Sequence, residues 1–151
     1  MTDRKDDMDR DRADIEAIHR LLNRYQQAHR EKDWDAVRAC HDETYFRWFG
    51  CGSTDPTDWV PHLFLVQSEM QEWGETRMPE GANYEQEQQI LQTDVRGNMA
   101  ISVVRESGRW RSDTGQIYSR WDDCQNVWFT GRIKGEWKIV GAFFPEITPS
   151  K

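Results

Sequence analysis

The chain is 151 residues long, 31% charged and 36% hydrophobic, with a formal net charge of −7. That length holds one domain around one sizeable core, and eight Trp, six Phe and four Tyr supply the rings that let so polar a sequence bury enough apolar area. An acidic balance without a basic stripe argues against nucleic acid as a partner, and without a long apolar run or an apolar leader core neither a membrane span nor a secretory signal is expected. Cys40, Cys51 and Cys124 are odd in number and widely spaced, which predicts reduced thiols and a cytoplasmic location rather than a disulfide framework.

Residues 1–12 are dense in Asp, Arg and Lys, which predicts a disordered, solvated tail. The single domain is expected over 13–145, with 146–151 as a C-terminal tail. From Ala13 the apolar residues Ile15, Ile18, Leu22 and Tyr25 recur at steps of three and four, with Leu21 and Ala28 widening the stripe. The pattern predicts a helix to about Glu31. Asp33 then caps a second helix with Trp34, Val37 and His41 on one face. Residues 44–49 are β-branched and aromatic, a strand by type, and Gly50-Cys51-Gly52-Ser53 breaks it. A third helix is expected over 58–74, where Pro61 fits the first turn and Trp59, Leu63, Val66, Met70 and Trp73 make one stripe.

Beyond a Gly/Pro-punctuated loop the sequence reads as sheet. Strands are expected over 84–95, 99–105, 117–133 and 136–144, with a loop over 106–116 and a bulge near Asp122-Asp123. The order predicts an α+β fold in which three N-terminal helices pack on a curved, mostly antiparallel sheet.

Two stretches carry a family likeness. One holds Asp14-Ile15-Glu16-Ala17-Ile18, Tyr25 and the corner Lys32-Asp33-Trp34-Asp35. The other is the hairpin Gly135-Glu136-Trp137-Lys138-Ile139-Val140-Gly141. Together they resemble the NTF2-like superfamily, in particular its SnoaL-like and scytalone-dehydratase-like branches, over about 14–144. The resemblance implies a cystatin-like cone with one internal pocket, bounded by the concave sheet face, the first helix and the third. It implies scaffold rather than chemistry, since enzymes, transport factors and assembly modules share the cone.

Tyr25 falls in the column of the oxyanion-holding Tyr of ketosteroid isomerases, whereas the column of their carboxylate base is filled by Phe49. Against scytalone dehydratases, Asn126 matches the strand Asn. The His columns fall near Glu87 or Gln88 and near Gly108, and His29 and Arg30 stand where a Tyr and an Asp are needed. The expected function is therefore a domain that binds a small, partly apolar molecule in the cone. The alternatives are a cofactor-free dehydratase, isomerase or cyclase, or a protein–protein assembly module with a vestigial pocket. Catalytic candidates are Tyr25, His29 and Asn126; ligand-binding candidates are Tyr25, Phe49, Trp59, Leu63, Gln88 and Asn126.

No Cys-x-x-Cys or His-x-x-x-His spacing occurs, so neither a metal nor a cofactor is expected. The run Glu85-Gln86-Glu87-Gln88-Gln89 is the most polar of the strands and should turn every second residue into the pocket, unless it is a charged edge. Asp122-Asp123 could send one carboxylate inward or sit at a solvated bulge. The last strand is apolar on both faces, with Trp137, Ile139 and Phe143 on one and Val140, Ala142 and Phe144 on the other. One face should pack under the helices and the other in a homodimer, sheet against sheet.

Overall fold

Helix α1 (Arg4–Glu31) is long because its buried C-terminal half supports an exposed extension. Ile18, Leu22, Tyr25 and Ala28 are buried, whereas Met8 is 67% exposed. In the computed structural model, which describes residues 4–42, 47–49, 62–63 and 81–143, residues 4–12 are thus helical rather than an irregular tail. Mixed charge does prevent that segment from burying a face. It does not prevent a helix, because Asp6 and Asp7 suit the dipole at the first turn and Arg10–Asp7 and Arg12–Glu16 pair across single turns. Propagation from an existing helix also avoids the cost of a new nucleus.

The chain reverses at Lys32, whose φ of 57° lies in the left-handed region. There the Lys32 and Asp33 amides close on the carbonyls of His29 and Ala28. Asp33 then caps α2 (Trp34–Ala39), its carboxylate accepting from the Ala36 amide at 3.1 Å.

Six strands follow: β1 (Arg47–Phe49), β2 (His62–Leu63), β3 (Asn83–Arg96), β4 (Met99–Arg111), β5 (Ile117–Ile133) and β6 (Glu136–Phe143). They form one sheet in the order β2-β1-β6-β5-β4-β3, antiparallel except where β1 runs parallel to β6. The expected third helix lies outside the described residues except at His62–Leu63, where the backbone is strand rather than helix.

Two further expectations are corrected. β4 does not stop at Arg105 but continues to Arg111, so Glu106 lies in a strand and not in a loop. Gly108 is no breaker there; it marks a register shift against β5, and the fully buried Trp110 two residues on keeps the chain in the sheet. In β6 the pairing slips between Phe129 and Thr130, leaving Val140 as an extra residue. Ile139 and Ala142 are therefore both in the core although three apart, not on opposite faces as strict alternation requires. A similar slip leaves Leu91 unpaired in β3. The expected bulge at Asp122-Asp123 is present, with Asp123 at a φ of 51°.

The helices cover one face of this sheet. Ile18, Leu22, Tyr25 and Ala28 meet Ala100, Val104, Trp128, Ile139 and Ala142 in one core. The other face carries Met99 and Ile101, each about half exposed (51% and 47%), and Val140 and Ile133 lie beside the backbone of Gly131.

Asp14 fastens the middle of α1 to the sheet. Its Oδ1 accepts from Arg132 at 2.5 Å and from the Trp137 indole at 3.1 Å, while the Arg132 guanidinium lies over the Trp137 ring. Asp14→Ala leaves both donors without their acceptor. It should destabilise the fold by about 1–3 kcal/mol in chemical denaturation, well beyond the effect of Asp11→Ala in the exposed part of the same helix.

Candidate functional site

The inner face is set by strand parity. On β4 every second residue from Ala100 through Ser102, Val104, Glu106 and Gly108 to Trp110 is buried. On β5 the bulge at Asp122-Asp123 restarts the alternation so that Cys124, Asn126, Trp128 and Thr130 turn inward. On β3 the inward positions are Tyr84, Gln86 and Gln88, with Glu85 on the outer side bridging Arg109 and Arg111. Tyr25, Gln26 and His29 come down from the last turns of α1, all buried.

Glu106 stands where these elements meet, only 3% exposed. Its Oε1 accepts from Gln88 Nε2 at 2.7 Å, from Trp128 Nε1 at 3.3 Å and from Gln26 Nε2 at 3.4 Å. Its Oε2 accepts from Asn126 Nδ2 at 2.8 Å. Burial pushes the carboxyl above its ordinary range, and the bonds from Gln88, Asn126 and Trp128 pull in the opposite direction without cancelling it. Among the described residues no Lys, Arg or His pairs with it within ion-pair distance.

Because an ionised carboxylate only accepts, the three amides of Gln26, Gln88 and Asn126 must present their NH2 groups to it, which fixes where their oxygens point. Of these oxygens, Gln88 Oε1 and Asn126 Oδ1 are buried with no hydrogen-bond partner among the described residues.

Aromatic rings surround this centre. The Tyr25 ring lies edge-on to Trp128 and His41, with centroids at 5.0 and 5.2 Å. Burial first, then the charges of Glu106 and Cys40, push its hydroxyl well above the ordinary phenol range, so it stays protonated and can donate. Tyr84 is pushed upward by burial and by its nearness to Tyr25 and Glu106. His29 is packed between Tyr84 at 4.5 Å, Trp34 at 5.6 Å and Trp110 at 6.0 Å, and its Nδ1 has no hydrogen-bond partner among the described residues. Burial, then the neighbouring His41, lowers its pKa from 6.5 to about 4, so the imidazole is neutral at pH 7.

Of the candidates read from the sequence, Tyr25, His29, Gln88 and Asn126 are brought to this interior. Phe49 ends β1 opposite Phe143, and Leu63 ends β2 opposite Arg47; β1 lies three strand spacings, roughly 14 Å, from β4. Trp59 is outside the described residues. Asp122 and Asp123 both face solvent, held by Arg120 at 2.6 Å and Arg105 at 3.1 Å. Glu106 itself escaped the sequence reading because it was assigned to a loop. The alternation Ala100, Ser102, Val104, carried two residues further, points to it.

A groove of about 420 Å³ opens beside this interior, lined among others by Arg30, Tyr84, Gln86, Gly108 and Arg120. Tyr84 and Gln86 share the inner face of β3 with Gln88, whereas Glu106, Gln88, Asn126 and Tyr25 are not among the residues that line the groove.

Helices laid across the concave face of a mostly antiparallel, bulged sheet define an NTF2-like fold. A solved NTF2-like protein of unknown function from Shewanella baltica is 16% identical at a TM-score of 0.56, covering 87% of this chain and 92% of that one. A conserved protein from Planctomyces limnophilus is 13% identical at a TM-score of 0.73, over 92% of this chain and 99% of the other. A candidate scytalone dehydratase from Novosphingobium aromaticivorans is 12% identical at 0.68, over 95% and 89%. No protein-family model and no curated protein sequence matches the chain. At these identities the likeness establishes the fold.

The His29 environment has a measurable consequence. The folded protein keeps the imidazole neutral down to about pH 4, whereas the unfolded chain protonates it near 6.5. The unfolded state therefore binds more protons between those values, and stability falls as pH drops through this window, by on the order of 3 kcal/mol from this group. Glu106, shifted upward, contributes in the opposite direction over its own window. His29→Phe should match the wild type above pH 6.5 and lose less stability below it in denaturant titrations. Parallel curves at every pH would show that the imidazole is not buried neutral.

Proposed function

We propose that the interior between α1 and the concave sheet face binds a small, partly apolar molecule, with Glu106, Tyr25, Gln88 and Asn126 as its polar centre. The supporting observation is a buried carboxyl with four neutral donors and two amide oxygens that find no partner among the described residues, amid aromatic rings. A few convergent polar groups inside apolar walls are the usual make-up of a ligand site, and a buried, partnerless acceptor costs about 1–3 kcal/mol that a ligand can recover. No described helix is long and apolar enough to cross a membrane. The buried thiol of Cys40 suits a reducing, cytoplasmic setting.

One observation favours a second reading, cofactor-free proton transfer by a lyase, isomerase or cyclase. A buried carboxyl with raised proton affinity and no cationic partner among the described residues is the environment of a general base, and a protonated Tyr25 could donate to a developing oxyanion. His29, neutral at pH 7, has an open nitrogen to take part.

The test is a thermal-shift screen of small ring compounds, followed by titration of hits into the wild type and Tyr25→Phe. Tyr25→Phe should keep its melting temperature, because the ring still packs, and should lose about fivefold to tenfold in affinity. A variant that melts lower but binds every hit as the wild type does would assign Tyr25 to the core alone.

We further propose that the outer sheet face joins two copies of the chain. After the β6 slip, Ile139 and Ala142 belong to the helix side, but Met99, Ile101, Val140 and Ile133 still leave an apolar surface opposite it. Sedimentation from micromolar to millimolar concentration should give a dimer, and Ile101→Arg a monomer of unchanged helix content. A wild type that stays monomeric throughout that range removes this proposal.

A further inference from the structure

Every donor that reaches the Glu106 carboxyl is used by it. Gln26 Nε2, Gln88 Nε2, Asn126 Nδ2 and Trp128 Nε1 all point at its two oxygens. An indole N–H cannot accept, and the three amides facing the carboxylate cannot turn without losing their bonds. Next to the carboxyl, the buried atoms to which no described residue donates are both acceptors, Gln88 Oε1 and Asn126 Oδ1, and Glu106 Oε2 accepts one bond where Oε1 accepts three. The carboxyl has neighbours that solvate its charge and none among the described residues that neutralises it. The nearby rings of Tyr25 and Trp128 present π faces and edges rather than cations.

We propose that this interior is selective for molecules whose polar end donates hydrogen bonds without needing to accept them, an alcohol or a protonated amine on an apolar body, and that Glu106, Gln88 and Asn126 determine that selectivity. The inference rests on the ligand-binding reading above and adds the polarity of the ligand. A hydroxyl or ammonium group satisfies the orphaned acceptors. A ketone brings a further acceptor to oxygens that already lack donors. A carboxylate adds a second negative charge beside an unneutralised one, which is the most costly of the four in a desolvated place. An ammonium group gains from the carboxylate and from the rings, so it should exceed the alcohol wherever Glu106 is ionised.

A matched series isolates this polarity: cyclohexylamine, cyclohexanol, cyclohexanone and cyclohexanecarboxylate share one ring and differ in the polar end. Their binding to the full chain at neutral pH can be ranked by ligand-observed NMR at millimolar concentration. The amine and the alcohol should bind about tenfold or more tightly than the ketone and the carboxylate. Glu106→Gln should abolish the advantage of the amine over the alcohol while keeping the alcohol, since the new amide N–H can be received by Gln88 Oε1 or Asn126 Oδ1.

Equal binding of all four rings, or a preference for the ketone or carboxylate, overturns the selectivity and leaves the ligand site standing. No binding of any ring overturns the ligand site and the selectivity together. The wild-type ranking decides the matter even if Glu106→Gln does not fold. The order of amine and alcohol distinguishes a charge-driven site from one that recognises hydroxyl groups.

Discussion

The solvation of one buried carboxyl by neutral donors is the constraint on which the arrangement depends. Glu106 on β4 is reached by Gln88 from β3, by Asn126 and Trp128 from β5 and by Gln26 from α1. Three elements, α1, β3 and β5, thus converge on two oxygen atoms of a fourth. Taking a charge out of water costs several kcal/mol unless something replaces the water, so these side chains cannot drift apart independently. A half-satisfied set would be worse than an apolar core, which explains why the surroundings are so completely polar on one side and aromatic on the other.

That convergence requires the register slips. Without the extra residue at Asp122-Asp123, the alternation that buries Trp110 opposite the end of β5 could not also turn Asn126 and Trp128 toward Glu106. The slip at Leu91 lets Ile90 and Thr93, three apart, both face the helices, and Thr93 there bonds to Ser102 and His19. At Val140 the same device brings Ile139 and Ala142 into one core. Each slip costs a local ladder bond and adds twist, and the twist is what lets a single sheet wrap around α1.

The legibility of the sequence follows from the same physics. The stripe Ile18, Leu22, Tyr25, the cap at Asp33, the turn at Lys134-Gly135 and the span of β5 were readable because each depends on local spacing or a local backbone preference. The bulge at Asp122-Asp123 was readable because two adjacent carboxylates interrupt an apolar alternation. The exposed start of α1 was not, because charge pairing on a helix surface leaves no periodic trace of burial. Nor were the slips at Leu91 and Val140, which lie among ordinary β-formers. Glu106 was not legible because Ser107 and Gly108 beside it have little strand preference of their own, and pairing with β3 and β5 on both sides keeps them in β4. Tyr25, His29, Gln88 and Asn126 could be proposed one at a time, but the residue that gathers them could be seen only once β4 was known to continue.

The rim and the interior hold their charges by different means. At the rim, Glu85 with Arg109 and Arg111, Asp122 with Arg120, and Asp123 with Arg105 are ion pairs open to solvent. Mobile ions compete with such pairs and screen them within about 8 Å at physiological ionic strength. Glu106 is balanced by dipoles fixed to helix and sheet. Raising the salt concentration therefore weakens the exposed pairs while leaving the hydrogen bonds to the buried carboxyl as they were, so that ionic strength separates a charge held by ions from one held by dipoles.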